Sequence, residues 1–561
     1  MRTSKLPSLG DRRISPGNVV FICLVLVAVA FGVLFRFYHL DRKVYSGDEV
    51  YTTLKMLGDT EDVLVARAPD FHRARDLWLV LHPTPPQGAM NPLATVHALA
   101  LEEPQHPPVY YLLGHYWLGV VGNSIAATRA LSATISLLEL PLAFWLGVEL
   151  FGSRRAGCIA LILSAVSPVC VLYAQEAREY ALWTVVLLAV SIAFRRAFRL
   201  DRPRDWWLVA VLSALGLYVY PLTFLVLAAF VAYGLVTQWP NRSLLRRCAL
   251  AIAGALLAFA PWSVVMFGRV HRVTHSLGNV MAGRLSLPEI MRTFAGSLRL
   301  NVFDTNLVHS SRLGVITTAV AVLLLLYAVV FVLRRYPARV TFFLLFPLLA
   351  CTLPLLIANL FGGQSVKFPR YFISCYLYLD FFLVGLLAAT MSARNRAARM
   401  WGYLIFTGLL GARIASIVAS SQAVTWWNKM EDDSLAVAKA VNAARQPIVA
   451  SDELLLYPLA LANYLRPDVG FALRPSCYLC TDRSAPKLDE HMLPADDRFT
   501  DVFALGPSPQ LQSLLHVVIA RRHLSSAYHC INVRNNCVSN LNVEPVFAPI
   551  APASDPGTPA N

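Results

Sequence analysis

Charged side chains are scarce in this sequence. Only 15% of its 561 residues are Asp, Glu, Lys or Arg, whereas soluble proteins have about 25%. This shortage excludes an ordinary soluble domain. Nucleic-acid-binding motifs are also lacking, so the net charge of +15 favours contact with membrane lipids and no nucleic-acid partner. Hydrophobic residues make up 56% of the chain, and the mean hydropathy is +0.53.

Apolar runs long enough to cross a membrane as helices follow one another along the chain. Eleven are present, at about 19–37, 125–150, 157–173, 181–198, 206–220, 221–239, 248–267, 312–333, 338–361, 371–391 and 401–420. They predict an α-helical polytopic membrane protein with about 11 transmembrane helices. Pro221 would separate two of these spans with almost no loop.

The first run follows Arg12 and Arg13, and Ala28-Val29-Ala30 within it resembles a signal-peptide cleavage site. Because the run continues to Phe37, an uncleaved first helix is the favoured interpretation.

Clusters of arginine predict the orientation of the chain in the membrane. With segment 1–18 in the cytoplasm, every second loop lies inside, and each such loop is rich in Arg, as the positive-inside rule requires. The clusters lie near residues 154–155, 195–204, 242–247, 334–339 and 394–399. The sequence therefore predicts a multi-pass membrane protein with a cytoplasmic N-terminus, whose first long loop and C-terminal part are extracytoplasmic.

The predicted membrane domain is 19–420, and its first outer loop is 40–124. Within that loop, the aromatic stretch from His106 to Trp117 is typical of a helix that lies at the membrane interface. Short strand and helix patterns over 421–548 predict a small extracytoplasmic α/β domain. The Pro/Ala-rich tail, 549–561, is expected to be disordered.

Four cysteines lie in the C-terminal part, namely Cys477, Cys480, Cys530 and Cys537. Two structural disulfides are favoured, either 477 with 480 or crossed to 530 and 537. A redox or zinc function for the single CxxC spacing is the alternative.

Acidic and basic residues recur at predicted outer membrane boundaries. Asp48-Glu49 follow the first span, and Glu176 and Glu179 follow the third. They are either solvated loop residues and a local ion pair with Arg178, or a general base and ligands for Mg²⁺ or Mn²⁺.

Two basic residues begin the tenth span, at Lys367 and Arg370. They either extend toward lipid headgroups or grip a phosphate. Three predicted spans also carry charges, namely Glu139, Asp380 and Arg413, and Asp380 with Arg413 is the candidate buried pair.

Several motifs together resemble bacterial GT-C glycosyltransferases of the RgtA/B/C/D-like group, which are related to the protein O-mannosyltransferases and the lipid A aminoarabinose transferases. The motifs are Gly47-Asp48-Glu49, His106-Pro107-Pro108-Val109-Tyr110-Tyr111-Leu112-Leu113, Arg129-Ala130-Leu131-Ser132, Glu149-Leu150-Phe151-Gly152, Ser167-Pro168, Tyr173-Ala174-Gln175-Glu176-Ala177-Arg178-Glu179-Tyr180 and Pro369-Arg370-Tyr371.

The resemblance implies an inverting transferase that uses a polyprenyl-phosphate sugar donor and a lipid, glycan or protein acceptor. Asp48 would be the catalytic base, Glu49 its partner and Glu176 a second acid. Arg370, with Lys367 or Arg178, would bind the donor phosphate.

The expected pocket residues are His106, Tyr111, Glu179 and Tyr180. Asp48 and Glu176 are the residues that would hold a divalent cation. The chain departs from many relatives at Ser46, where they have an aromatic residue.

Two other function classes compete with this prediction. A transporter or flippase of lipid-linked saccharides would use the intramembrane charges along its path, but no internal repeat supports it. A non-catalytic membrane scaffold would not need Asp48 or Arg370.

Overall fold

The computed structural model describes residues 16–83, 91–271, 273, 284–303, 312–424, 434–477, 488, 492–493, 499–521 and 527–531. The chain divides into two compact units. The first comprises residues 1–40, 129–261 and 278–423, and the second comprises 41–128, 262–277 and 424–561.

The first unit contains most of the apolar helices. Within the described residues, eight helical segments are long and apolar enough to cross a membrane. They are Val19–Phe37, Ile125–Phe151, Tyr180–Leu200, Arg242–Gly268, Arg312–Arg335, Ala338–Leu360, Pro369–Met391 and Arg396–Gln422. The polytopic helical fold predicted from the sequence is confirmed.

The predicted number of eleven spans differs from this count for two reasons. One run forms two helices, Arg154–Ala165 and Pro168–Ala174, which are bent by 54° and make a ninth span if counted together. Two further runs form the short helices Pro203–Val219 and Thr223–Gln238, of 17 and 16 residues. All eleven apolar runs are therefore helical, but the two helices around Pro221 are shorter than the ~20 residues of a typical span.

Two buried arginines stabilise the bend at Ala165. A break in a membrane helix leaves backbone carbonyls without their usual partners, and these must be satisfied within the protein. Arg36 donates to the carbonyls of Ala165 (2.9 Å) and Ser164 (3.1 Å), while Arg413 donates to that of Leu163 (2.8 Å). The positive charges thus lie where the broken helix exposes negative ends of dipoles.

Each of these arginines is paired with an acid of a neighbouring helix. Arg413 binds Asp380 through both Nη atoms, one of them at 3.3 Å, which confirms the predicted pair. Arg36 lies 3.4 Å from Glu139, and both side chains are almost fully buried. Because the partner of Glu139 comes from the first helix, 103 residues away, its sequence neighbourhood gave no sign of the pair.

The second unit begins with short helices and ends in a sheet. Its helices are Gly47–Leu57, Glu61–Arg67, Ala74–Leu81, Pro92–Glu102, Val109–Val121, Ser434–Ala443, Leu456–Ala462 and Pro509–Arg521. The four strands are Pro447–Ser451 (β1), Gly470–Leu473 (β2), Asp501–Leu505 (β3) and Ala527–Ile531 (β4). They form a parallel sheet in the order β2-β1-β3-β4, in which Val449 pairs with both Phe471 and Phe503.

The hydrophobic core of this unit joins two distant parts of the sequence. Residues from the first long loop, such as Leu54 and Leu77, pack in one buried cluster with Leu459 and Phe471 of the C-terminal part. The loop backbone also extends the edge of the sheet at β2, since His72 O accepts a hydrogen bond from Phe471 N (2.8 Å). The two segments fold together although the sequence analysis treated them separately.

Only part of the cysteine prediction falls on described residues. Cys477 is disulfide-bonded. Cys480, Cys537 and the side chain of Cys530 lie outside the described residues, as do 1–15 and the tail 549–561. The pairing and the disorder of the tail stay predictions.

Candidate functional site

Asp48 lies in the first turn of the helix Gly47–Leu57, and the local sequence explains why the helix begins there. Ser46 is the N-cap, and its side chain accepts a hydrogen bond from Glu49 N (3.4 Å). The Glu49 carboxylate accepts in return from Ser46 N (3.1 Å), which completes a capping box. Ser46, the departure from many relatives, is thus the residue that fixes the start of the Asp48 helix.

Glu49 and Asp48 differ in their exposure. Glu49 is fully buried, and its carboxylate serves the helix start. Asp48 is only partly buried, and a negative charge in the first helical turn is favoured by the helix dipole. Of the two adjacent acids, Asp48 is therefore the one with access to a substrate.

The other end of this helix is anchored by a buried ion pair. Lys55 is fully buried and binds Glu102, whose other oxygen accepts a hydrogen bond from Glu61 N (2.7 Å). Burial raises the pKa of Glu102 above its usual value, although Lys55 opposes this shift. At the next residue, the Met56 carbonyl lies 2.9 Å from His115 Nδ1. Both anchors restrict movement of the Asp48 helix.

His106 and Tyr111, two predicted pocket residues, are neighbours in the same unit. Their rings are 6.2 Å apart, and His106 also lies 4.0 Å from Glu103. Tyr111 belongs to the helix Val109–Val121, which buries Tyr111 and exposes Tyr116. The predicted amphipathic helix is thus present.

The segment Gln175–Glu179 forms a turn before the helix Tyr180–Leu200. Because the turn is not helical, Glu176 and Glu179 do not share a helix face. Arg178 Nε lies 3.5 Å from Glu179, and its guanidinium lies over the Tyr180 ring at 5.8 Å. The acids and Arg178 are all buried, and Arg178 with Glu179 forms the local ion pair that one interpretation of this segment predicted.

Hydrogen bonds to distant helices hold this turn in place. Gln175 Nε2 donates to the carbonyls of Phe35 (2.7 Å) and Tyr38 (3.0 Å) at the end of the first helix. Ser132 Oγ donates to the Arg178 carbonyl (3.2 Å). The Ser132 and Gln175 motifs that carry the family resemblance therefore build the turn itself.

Arg370 lies in a short 3-10 helix, Pro369–Phe372, directly before a membrane helix. Its guanidinium lies 4.8 Å from the Phe368 ring centre and 5.6 Å from that of Tyr371. Lys367 is exposed and interacts electrostatically with Glu289 of the helix Leu287–Arg299. Arg370 is thus held between two rings, whereas Lys367 extends from the surface.

Tyr220 links the turn that contains Arg178, Gln175–Glu179 (the Arg178 turn), to the short helix that contains Arg370, Pro369–Phe372. Its ring lies 6.0 Å from that of Tyr180 and 4.7 Å from that of Trp183. It also interacts electrostatically with Glu179 and Arg370. The predicted acid Glu179 and the predicted cation Arg370, from two distant segments, therefore both lie within electrostatic range of one buried tyrosine that the sequence analysis did not single out.

A cavity lies next to this cluster in the first unit. It has about 580 Å³ of empty space, counted together with its opening. Its lining is mainly apolar and includes Tyr173, whose ring lies 5.1 Å from that of Tyr180. Glu139 and Asp380 also line it, but both carboxylates are neutralised by arginine.

The candidate residues divide between the two units. Glu176, Arg178, Glu179, Tyr180, Lys367 and Arg370 belong to the first unit, and Asp48, Glu49, His106 and Tyr111 belong to the second. Their expected meeting in a single cavity stays a prediction. In the part of the chain that the structure describes, no group of three or more His, Cys, Asp or Glu side chains could hold a metal ion. The shared cation site of Asp48 and Glu176 also stays a prediction.

Comparison with protein families supports the resemblance seen in the sequence motifs. Residues 105–265 match the family described as dolichyl-phosphate-mannose-protein mannosyltransferase. This segment contains His106, Tyr111, the Arg178 turn and Tyr220, and the match confirms the resemblance to GT-C glycosyltransferases. A comparison with curated protein sequences gives no significant match.

Solved structures that match this chain include ArnT and an oligosaccharyltransferase. ArnT from Cupriavidus metallidurans bound to undecaprenyl phosphate has a TM-score of 0.47 and 12% identity, over 91% of this chain and 89% of that chain. Its apo form gives a TM-score of 0.47 and 13% identity, over 81% and 85%. The oligosaccharyltransferase of Archaeoglobus fulgidus in complex with Zn and sulfate gives 0.44 and 13%, over 80% and 62%.

Proposed function

We propose that this chain is an inverting membrane glycosyltransferase that moves a sugar from a polyprenyl-phosphate donor to a hydroxyl of a lipid, glycan or protein acceptor. The observation that carries the proposal is the cluster of Arg178, Glu179 and Arg370 around Tyr220, which lies at the ends of membrane helices. The match of residues 105–265 to a polyprenyl-phosphate-dependent mannosyltransferase family supports the same reaction class.

The depth of the cluster suits a lipid-linked donor. The phosphate of such a donor stays at the headgroup level while its chain remains in the bilayer. Arg370 lies in the first turn of the span Pro369–Met391, and Arg178 comes just before Tyr180–Leu200. Guanidinium groups bind phosphate oxygens in pairs and stabilise the charge that grows as the sugar–phosphate bond breaks.

Asp48 would supply the base. Its carboxylate takes the proton of the acceptor hydroxyl while the oxygen attacks the anomeric carbon from the side opposite the phosphate. The new glycosidic bond forms as the bond to the phosphate oxygen breaks, and polyprenyl phosphate leaves with the electron pair. Attack from the opposite side inverts the anomeric configuration.

The remaining candidates receive supporting roles. Glu49 holds the start of the Asp48 helix, and His106 and Tyr111 shape the acceptor side. Glu176 and Glu179 shape the donor side, and exposed Lys367 attracts the anionic donor. A divalent cation shared by Asp48 and Glu176 would further neutralise the phosphate. We place the N-terminus in the cytoplasm, and the site and the C-terminal part on the extracytoplasmic face of a bacterial inner membrane.

A transfer assay tests the proposal. Purified protein in lipid vesicles is incubated with a panel of radiolabelled polyprenyl-phosphate sugars, and the release or transfer of label is measured. Asp48→Asn should abolish turnover, and Arg370→Ala should lower it about 100- to 1,000-fold, the effect of removing one good oxyanion donor. Asp70→Asn and Arg334→Gln change exposed residues and serve as charge-matched controls.

The outcomes separate the rival functions. Loss of turnover in both site variants but in neither control supports the transferase. Full activity of Asp48→Asn would refute the assignment of the base. Movement of an intact lipid-linked sugar across the vesicle membrane, without release of the sugar, would favour a flippase.

A further inference from the structure

Tyr220 lies at a tight turn between two apolar helices. It follows Pro203–Val219, and Thr223–Gln238 begins three residues later. The turn is closed by backbone hydrogen bonds from Tyr220 N to Gly216 O (2.9 Å) and from Thr223 N to Tyr220 O (3.0 Å). Pro221, which follows, fixes its own backbone angle and permits the abrupt change of direction.

Side-chain contacts lock this turn against the neighbouring helix. Trp183 Nε1 donates to Thr223 Oγ1 (3.0 Å), which in turn donates to the Gly216 carbonyl (2.9 Å). A Cβ at Gly216 would lie only 2.8 Å from the Thr223 methyl group, so glycine allows this close approach. The Tyr220 ring is therefore held in one position, packed on Trp183.

The hydroxyl of this well-fixed ring forms no structural hydrogen bond within the described part of the chain. Tyr220 is only 6% exposed, and buried tyrosines usually hydrogen-bond through their hydroxyl. Among the residues that the structure describes, the Tyr220 hydroxyl forms no hydrogen bond. A rigidly held donor without a hydrogen-bond partner among the described residues is available to a ligand.

The surroundings indicate which ligand it would bind. Arg370 acts electrostatically on the Tyr220 phenol, and Arg178 lies over the neighbouring Tyr180 ring. Glu179, the nearby acid, is already paired with Arg178 at 3.5 Å. A neutral phenol near cationic groups can donate a hydrogen bond to an anion that those cations attract.

We propose that Tyr220 is a phosphate-binding residue whose hydroxyl donates a hydrogen bond to the phosphate of the lipid-linked donor, beside Arg370. This inference rests on the proposed function, because it takes the donor to be a polyprenyl phosphate. It adds a ligand from a third sequence segment to those on the Arg178 turn and before the helix Ile373–Met391. Tyr220 would also hold the phosphate of the leaving product.

The test compares Tyr220→Phe with the matched variant Tyr218→Phe. Both lose a hydroxyl, but that of Tyr218 donates to the Ala258 carbonyl (3.0 Å) and does not face the cluster. Binding of undecaprenyl phosphate and of uncharged undecaprenol is measured for each purified protein, together with turnover of the donor panel. An unfolding temperature equal to that of the wild type shows that the phenylalanine preserves the packing.

Tyr220→Phe should weaken binding of undecaprenyl phosphate about 10- to 100-fold, as expected for a hydrogen bond to a charged group, and leave undecaprenol binding unchanged. Tyr218→Phe should match the wild type for both lipids. Wild-type phosphate binding in Tyr220→Phe, with turnover still dependent on Arg370, would overturn this inference alone. If the wild type neither binds undecaprenyl phosphate nor turns over any donor, the proposed function fails as well.

Discussion

Replacing Asp380 by asparagine tests whether the charges inside the membrane helices are structural. The Arg413 side chain is fully buried, while that of Asp380 is 13% exposed. Asp380 also accepts a hydrogen bond from Asn301 Nδ2 (2.9 Å). Asparagine keeps the shape of the side chain but removes its charge, and it leaves the guanidinium of Arg413 buried without a counter-charge.

The expected destabilisation follows from that uncompensated charge. Breaking a buried ion pair by removing one partner costs about 3–5 kcal/mol, much more than losing an exposed pair. Unfolding by SDS in mixed micelles measures the change in free energy. The exposed pair Arg466–Asp468, with side chains 37% and 68% accessible, provides the control, since Asp468→Asn should cost less than about 1 kcal/mol.

A double variant distinguishes a structural pair from two independent effects. Asp380→Asn with Arg413→Met removes both charges, and it should recover most of the loss because replacing a buried pair by apolar groups is often neutral. The Leu163 carbonyl then loses its donor, which leaves a residual cost of about 1 kcal/mol. Additive losses in the double variant, or a single-variant loss below 1 kcal/mol, would refute the pairing argument.

Three further predictions concern the proposed base and its support. Burial raises the pKa of Glu102 above its ordinary value near 4.5. This carboxyl group therefore ionises at a lower pH in the unfolded chain than in the folded protein, and the free energy of unfolding should fall as pH rises from 4.5 through the folded pKa. The unfolding temperature of Glu102→Gln should lack this pH dependence. A pH profile equal to that of the wild type would contradict the prediction. Tyr464→Phe removes the acceptor of the Tyr45 backbone N–H (2.6 Å) and should lower the unfolding free energy by about 1 kcal/mol, measured by denaturant titration. A cation held by Asp48 and Glu176 predicts that EDTA abolishes turnover and that Mg²⁺ or Mn²⁺ restores it, whereas full activity in EDTA would contradict the site.

Much of the fold could be predicted from the sequence because membrane helices carry a local signal. Each apolar run became helical, and the parallel strands Pro447–Ser451 and Asp501–Leu505 lie within the segment 421–548, where strand and helix patterns were found. The bend after Ala165 interrupted one run, and its compensation comes from Arg36 and Arg413. Those arginines are 129 and 250 residues from the carbonyls they bind, so no local pattern could reveal them.

In the candidate site, too, some residues could be found from a local sequence pattern, whereas another depends on contacts between distant segments. The Arg178 turn and Arg370 could be found because charged residues next to apolar runs are conspicuous. Tyr220 was missed because a tyrosine at the end of an apolar run is ordinary, and its role depends on contacts with Tyr180 and Trp183. The capping box of Ser46 and Glu49 could have been recognised from the spacing of Ser and Glu alone.

The shared core of the second unit gives the C-terminal part a physical role in positioning the proposed base. The helix Gly47–Leu57 carries Asp48 at its start and buries Val50 and Leu54 in the same cluster as Leu456 and Leu459. Just before this helix, Val44 N donates to Val424 O (3.0 Å). An 11-residue helix gains most of its stability from such packing rather than from its own propensity. The C-terminal part therefore does more than append a separate domain, because it supplies one wall of the core against which the Asp48 helix is held.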